Sequence, residues 1–240
     1  MKTSTLAFFI PKLSLFDKIL WAVSLALLSV LYFFTPEKNP VSLAASVVGV
    51  SSLIFTAKGH VSGPLLSVVF ALLYSAVSFK MRYYGEMITY LFMTAPSSFL
   101  SAVAWFKNPS AQGKSEVRIA HLTPKKFFAA AGISSLATVA FYFILRALNT
   151  ANLEISTFSI TTSMLSSVLI MMRVPYYALS YAVNDIVLIV MWILASIQDK
   201  SNFPMVLNFV IFLANDINGF FSWKKIRNRQ EQCREITEKA

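Results

Sequence analysis

The chain contains a single cysteine, seven glycines and two histidines in 240 residues, and only 13% of its residues are charged. One thiol, Cys233, cannot form a disulfide within the chain. His60 and His121 lie in predicted loops without a second His or Cys at ligand spacing, so we expect no metal site. No nucleophile elbow, P-loop, zinc-protease motif or C-x-x-C motif occurs. We therefore expect neither an enzyme nor a bound cofactor.

The scarcity of charge accompanies long apolar runs. Hydrophobic residues make up 56% of the chain and the mean hydropathy is +0.63, whereas a soluble domain of this length needs more polar surface. The runs are apolar on all sides, which favours transmembrane helices over the alternating strands of a β-barrel. We predict an all-α integral membrane protein without a cleaved signal peptide. Its eight spans lie at roughly 18–35, 41–57, 61–79, 85–106, 127–148, 155–172, 177–198 and 204–225.

Positive charge is unevenly distributed between the two sides of the membrane. The net charge is +10, but the basic residues lie in short loops and in the tail, so we reject nucleic acid as a partner. When the eight spans alternate in direction, 16 of the 21 Lys and Arg residues fall on one side. The positive-inside rule makes that side cytoplasmic and predicts that both termini are cytoplasmic. A seven-span arrangement would blur this bias.

A weak internal repeat organises the spans. A shift of 118 residues aligns 62–107 with 180–225 without a gap and places Trp105 on Trp223, although only six of the 46 pairs are identical. Spans two to four and six to eight then form two three-helix repeats in the same orientation, joined by span five, which is a known transporter plan. The predicted segments are an N-terminal cytoplasmic segment (1–17), a leading helix (18–35), a first repeat (41–107), a basic loop with a linker helix (108–148), a second repeat (155–225) and a cytoplasmic tail (226–240).

Two Asn-Asp pairs interrupt the last two spans, and polar groups near the bilayer centre are costly. Asn184 and Asp185 lie in span seven, and Asn215 and Asp216 lie in span eight. With a rise of 1.5 Å per residue, the two acids lie about 12 and about 13.5 Å from the inner ends of their helices. Within the spans, Lys and Arg occur only at the ends, so none lies near the middle of a span to neutralise the two acids. The matched depth predicts a substrate site just inside the midplane, and the alternative is polar contact between helices.

Neighbouring residues extend this candidate site. Asn208 and Asn218 share a helical stripe with Asn215, and Tyr177 and Tyr181 flank Asn184. Trp192 and Tyr90 are candidates for stacking on a flat cationic ring. The substrate-binding candidates are Asn184, Asp185, Asn208, Asn215, Asp216, Asn218, Tyr177, Tyr181, Trp192 and Tyr90. Pro96 predicts a kink or a hinge in span four. Trp21, Trp105 and Trp223 are expected to be interfacial anchors.

These residues resemble the PnuC family of nicotinamide riboside transporters over roughly 41–226. The resemblance rests on the 1+3+1+3 helix plan, on the run Asn184-Asp185-Ile186-Val187, and on Asn215-Asp216 followed by Gly219-Phe220 and Trp223-Lys224-Lys225. It implies facilitated diffusion of a cationic vitamin precursor for NAD biosynthesis, in a homotrimer in the bacterial inner membrane. Asn184 matches the family's intramembrane Asn. The family's preceding Trp is replaced here by Ser180, with Tyr181 beside it.

Three alternatives remain open. A thiamine or nucleoside facilitator fits the same residues, because the thiazolium of thiamine is also cationic. A sugar facilitator has the same helix plan, but the two acids argue against it. A non-transporting sensor or assembly partner would use the basic loop Lys107–Lys126 as its contact surface, although the positive-inside effect and attraction to lipid also explain that loop.

Overall fold

The computed structural model describes residues 10–34, 39–80, 84–111, 113–150, 152–198, 200 and 203–239. In this part of the chain, eight helices are long and apolar enough to cross a bilayer, which confirms the predicted fold class. Their bounds are α1 Leu15–Phe34, α2 Pro40–Ala57, α3 Ser62–Lys80, α4 Tyr84–Phe106, α5 Pro124–Ala147, α6 Leu153–Met171, α7 Tyr176–Gln198 and α8 Phe203–Lys239.

Local sequence signals set several helix ends. Asn39 accepts a hydrogen bond from the backbone N–H of Val41 at 3.0 Å, and Pro40 takes the first helical position of α2. Thr123 and Pro124 begin α5 in the same way. After α2 the chain reverses at Gly59, whose φ of +62° lies in the left-handed region that favours glycine.

The helices pack as two sets of three with two additional helices. We call α2–α4 the first triplet and α6–α8 the second triplet. The triplets meet where α2 packs on α8 and α4 packs on α6, while α5 packs on α6 and α1 packs on α2 and α8. We call the end of the bundle where α1 begins and α8 finishes the terminal end, and the opposite end the far end.

Helix α4 contains a π-helical turn over Tyr90–Thr94. The backbone N–H of Ala95 bonds to the carbonyl of Tyr90, five residues earlier. Pro96 follows directly and has no N–H to donate, so the regular α-helical ladder is interrupted here. The turn brings the Tyr90 side chain to the interior of the bundle, where it packs on Phe70 and Tyr74.

The basic loop after α4 folds into a small sheet at the terminal end. Strands β1 (Pro109–Ser110) and β2 (Gly113–Val117) pair antiparallel. Ser115 and Val117 of β2 also exchange backbone hydrogen bonds with Val61 and Gly59, at 3.1 and 2.8 Å. We call this hairpin, the turn Gly59–Val61 and the helical segment 226–231 of α8 the terminal clasp.

Helix α8 continues to Lys239, through most of the predicted cytoplasmic tail 226–240. Gln230 donates to Glu116 and to the carbonyl of Val117, at 2.9 and 3.0 Å, and accepts from the N–H of Ile119 at 2.9 Å. Arg229 pairs with Glu116 at 2.5 Å. These contacts with the hairpin explain why a polar segment remains helical beyond the membrane.

Candidate functional site

A cavity of about 200 Å³ lies between the two triplets. Residues of both triplets, α2–α4 and α6–α8, form its walls together with Leu145 of α5. Toward the far end it reaches Glu86 and Thr150, which are half-buried. Toward the terminal end it reaches Thr56 and Tyr177, which are buried.

Asn184 lines this cavity in a cradle of hydroxyl groups. Its Oδ1 accepts hydrogen bonds from Thr162 at 2.7 Å, from Ser163 at 3.0 Å and from Ser159 at 3.4 Å. All three belong to α6, where hydroxyl residues recur on the face toward α7. Because the hydroxyls engage the carbonyl oxygen, the amide nitrogen of Asn184 is left to donate into the cavity.

Asp185 and Asp216 meet across the interface of α7 and α8. Both line the cavity, with 3% and 5% of their surfaces exposed, and their carboxyl groups are within hydrogen-bonding contact. Oδ2 of Asp185 is buried and has no hydrogen-bond partner in the described part of the chain. Two buried acids in contact are costly unless they share a proton or a positive charge lies beside them.

The structure brings together six of the ten predicted site residues. The six that line the cavity are Tyr90, Tyr177, Tyr181, Asn184, Asp185 and Asp216. Tyr181 is positioned by a hydrogen bond between its hydroxyl and Ser167 at 3.1 Å. These six side chains therefore share one cavity, and their role in binding a substrate stays a prediction.

The other four predicted residues lie away from the cavity walls. Asn215 donates to Ser24 of α1 at 3.2 Å, and Asn218 donates to Asp17 of α1 at 3.5 Å. Trp192 packs in an apolar cluster with Phe209 and Phe212. Asn208 is half-buried on α8, and its Oδ1 lacks a partner in the described part of the chain. Asn215 and Asn218 thus fasten the leading helix to the second triplet.

Two of the expected interfacial tryptophans are instead in the core, which corrects that expectation. Trp105 and Trp223 have 0% exposure, and their ring centroids are 5.3 Å apart. Each indole N–H donates to a carbonyl of the opposite triplet: Trp105 to Ile170 at 3.1 Å, and Trp223 to Thr56 at 2.7 Å. A membrane anchor faces lipid headgroups, whereas these rings lie in the core and connect the two triplets by hydrogen bonds. The pairing follows the repeat, because the two residues are related by the 118-residue shift. We call this pair the tryptophan bridge.

The bridge closes the terminal side of the cavity. The Tyr177 ring lies 4.6 Å from the Trp223 ring and forms the cavity wall there. Beyond the rings, Val61, Val117 and Ile226 of the terminal clasp belong to the same buried cluster. The passage toward the terminal end is therefore filled by side chains.

Sequence reasoning missed Glu86, a third acid at the cavity. It lies in the first turn of α4, lines the far part of the cavity and accepts a hydrogen bond from the Tyr74 hydroxyl at 2.8 Å. The signal was present in the sequence, because Glu86 falls just inside the predicted span 85–106. Its proximity to the span's end made it resemble an ordinary loop charge.

Comparisons with known proteins agree with this architecture. The family model described as nicotinamide mononucleotide transporter matches residues 39–225. A nicotinamide riboside transporter PnuC of Neisseria mucosa is 26% identical over 219 residues, which cover 89% of this chain and 82% of the relative. A protein of the same name from Haemophilus influenzae is 23% identical over 212 residues, covering 86% and 90%. The crystal structure of the vitamin B3 transporter PnuC matches with a TM-score of 0.79 at 24% identity, covering 93% of this chain and 96% of that chain, and shows a shared fold.

Proposed function

This chain belongs to the nicotinamide mononucleotide transporter family, and we propose that its substrate is nicotinamide riboside, taken up as a precursor for NAD biosynthesis. The protein is a multi-pass membrane transporter. The observation that carries the substrate assignment is the cavity between the triplets, where the Asn184 amide and the two acids Asp185 and Asp216 line the same space. The two relatives named as nicotinamide riboside transporters support it.

The chemistry of the ligand suits these groups. Nicotinamide riboside combines a flat, permanently positive ring with a carboxamide and several hydroxyls. The Asn184 amide can donate to the carboxamide or to a hydroxyl, and the serine hydroxyls of α6 can bond the ribose. The acids Asp185 and Asp216 complement the positive ring, and the rings of Tyr90 and Tyr181 offer faces to it.

Thiamine is the second candidate, because its positive thiazolium would satisfy the same acids. A neutral sugar leaves the buried oxygen of Asp185 without a counter-charge, so it suits the cavity less well. An enzymatic or sensor role is disfavoured by the family. The basic loop that a sensor would use for a partner is paired with the turn Gly59–Val61 and with α8.

We infer transport by facilitated diffusion with alternating access. The tryptophan bridge holds the triplets together at the terminal end, whereas the far part of the cavity is bordered by half-buried side chains. Rocking of the triplets would separate Trp105 and Trp223 and open the terminal side. Pro96 and the adjoining π turn make α4 a suitable hinge, because the backbone ladder is already interrupted there.

We place both termini in the cytoplasm of a bacterial cell, with the protein in the inner membrane as a homotrimer. The excess of basic residues supports the orientation. The relatives are bacterial, and the trimer is what the resemblance to the PnuC family implies. Mass measurement of the purified protein in detergent tests the trimer, and a monomer mass would contradict it.

Uptake into liposomes that contain only this protein tests the proposed function. We expect labelled nicotinamide riboside to enter without an ion gradient and to accumulate transiently when the liposomes hold unlabelled substrate, which is the mark of a carrier. Excess thiamine should compete weakly and glucose should not compete. Uptake of thiamine alone would shift the assignment to the second candidate, and no uptake of either cation would reject both.

Asn184→Ala is the first variant to compare in that assay. Losing the donor should weaken binding by about tenfold to a hundredfold, since a buried hydrogen bond left unmade costs about 1–3 kcal/mol. Asn208→Ala removes the same side chain from α8 outside the cavity walls, so uptake should change little. Equal uptake by wild type and Asn184→Ala would remove Asn184 from the site.

A further inference from the structure

Glu86 lines the cavity but takes no part in the contacts proposed for nicotinamide riboside. Its Oε2 accepts a hydrogen bond from the Tyr74 hydroxyl at 2.8 Å. Within the described part of the chain, Glu86 forms no ion pair. Glu86 lies one turn into α4 from the far end, near Thr150. A ligand that enters from the far end therefore reaches Glu86 before Asp185.

Aromatic rings pack around the tyrosine that holds this carboxylate. The rings of Tyr74 and Tyr90 lie 4.5 Å apart, and the Phe70 ring lies 5.6 and 5.7 Å from them. Phe70 and Tyr90 line the cavity. Ring faces beside a fixed carboxylate are the usual surroundings of an organic cation, whose charge is spread over a flat surface.

A second acid continues the path inward. Tyr90 follows Glu86 by about one turn on α4, and both residues line the cavity. Asp185 is 3% exposed, lines the same cavity and lies midway along α7. The cavity therefore has acidic side chains at two depths.

We propose that Glu86, oriented by Tyr74 and adjacent to the Tyr90 ring, forms an outer subsite that selects aromatic cations before they reach Asp185. The inference deepens the proposed function and rests on it, because it assigns the discrimination between charged and neutral rings to a residue near the far end. Neutral analogues of the same shape pass this subsite without its stabilisation.

The test compares ligands of similar shape that differ in charge. 1-Methylnicotinamide is a permanent cation and nicotinamide is its neutral counterpart, so thermal-shift titrations of the purified protein with both give a charge preference. The matched transport pair is nicotinamide riboside and its uncharged dihydro form. Glu86→Gln keeps the shape and an acceptor for Tyr74 but removes the charge.

We expect Glu86→Gln to weaken 1-methylnicotinamide binding about tenfold, as for loss of one partly desolvated charge contact, and to raise the KM for nicotinamide riboside similarly. Nicotinamide and the dihydro form should bind as they do to wild type. Tyr74→Phe keeps the ring but releases the carboxylate, and should give a smaller loss in the same direction. Glu154→Gln is the matched control, since Glu154 is exposed near the same end and outside the cavity walls.

Three outcomes overturn the subsite. They are a wild-type protein that binds the cation and the neutral ring equally, a Glu86→Gln protein with unchanged preference, or an equal loss in Glu154→Gln. Failure of the proposed function has a different signature. In that case wild type does not transport nicotinamide riboside, while the charge preference for 1-methylnicotinamide still reports whether Glu86 recognises cations.

Discussion

Asp185 and Asp17 are both buried aspartates, but their surroundings give them opposite roles. Asp17 is 1% exposed and pairs with Lys58 at 2.5 Å, and Ser14 donates to it as well. Within the described residues Asp185 forms no ion pair, and its Oδ2 accepts no hydrogen bond from a donor group. A buried charge that has partners is tolerated by the packing, whereas a buried charge without them costs stability unless a ligand supplies the partner.

This contrast predicts opposite outcomes for two isosteric variants. Asp185→Asn can donate to Asp216 and removes an unpartnered charge, so the Tm of the ligand-free protein should rise, by about 2–4 °C for each kcal/mol recovered. Its affinity for nicotinamide riboside should fall about tenfold. Thermal unfolding and ligand titration of the purified protein measure both quantities.

Asp17→Asn provides the comparison. It leaves Lys58, whose side chain is 20% exposed, without its carboxylate partner and weakens the contacts with Ser14, so the Tm should fall while ligand affinity is retained. A lower Tm together with full affinity in Asp185→Asn would show that Asp185 is a packing residue like Asp17.

At this scale the sequence reveals which residues are unusual, but not where each one points. The depth of Asn215 and Asp216 follows from counting residues along α8. Their direction depends on the rotation of the helix, which is set by packing against α1 and α2. Asp216 faces the cavity, while Asn215, about 100° around the helix, faces Ser24. A single sequence contains no measure of that rotation.

The terminal clasp is the element in which local pattern was least informative. The segment 108–123 is polar and basic, and neither strand has the alternating apolar pattern of a sheet. Strand β2 exists because its backbone groups bond to Gly59 and Val61, and because Glu116 meets Arg229 and Gln230 from α8. These partners lie about fifty to over a hundred residues away, so only the assembled fold defines them. The apolar helices, in contrast, follow from their own composition.

His60 makes the clasp sensitive to pH. Its side chain is buried, Nδ1 lies 2.6 Å from the Ser62 hydroxyl and Nε2 has no partner within the described residues. Burial lowers the pKa of His60 from its usual 6.5, although the nearby Glu116 acts in the opposite direction. The folded clasp thus favours the neutral ring, and its stability is full above that usual pKa and declines as the pH falls.

We expect the wild-type Tm to fall between pH 7 and pH 5. Uptake of one proton lowers the free energy of unfolding by at most about 1.4 kcal/mol per pH unit. Limited proteolysis within 108–123 should become faster over the same range. His60→Gln removes the titrating group, so its profile should be flatter. An identical pH profile in the variant would assign the effect to other groups.

On the scale of the whole molecule, the two ends of the helix bundle differ in structure and in charge. Asp17, Lys58, the clasp and the tryptophan bridge all lie at the terminal end. The far end has short connections and the half-buried edge of the cavity. The folded polar mass of the bundle thus lies at one end, while the side chains that border the cavity are less buried toward the other end. The sequence indicates which compartment each end faces by the distribution of Lys and Arg, but the sealing of the terminal side depends on Trp105 and Trp223, which local hydropathy assigned to the membrane surface.

Cys233 gives a direct test of this orientation, because the chain has one cysteine and it is exposed on the extended part of α8. If the terminal end is cytoplasmic, a membrane-impermeant maleimide should label Cys233 only after the cells are permeabilised. In a Cys233→Ser background, Lys200→Cys places a thiol at an exposed position of the far end and should be labelled in intact cells. Labelling of Cys233 in intact cells would contradict the proposed orientation and show that the terminal end is outside the cell. It would also turn the half-buried side of the cavity, with Glu86, toward the cytoplasm, so that the outer subsite would act on release rather than on capture of the cation.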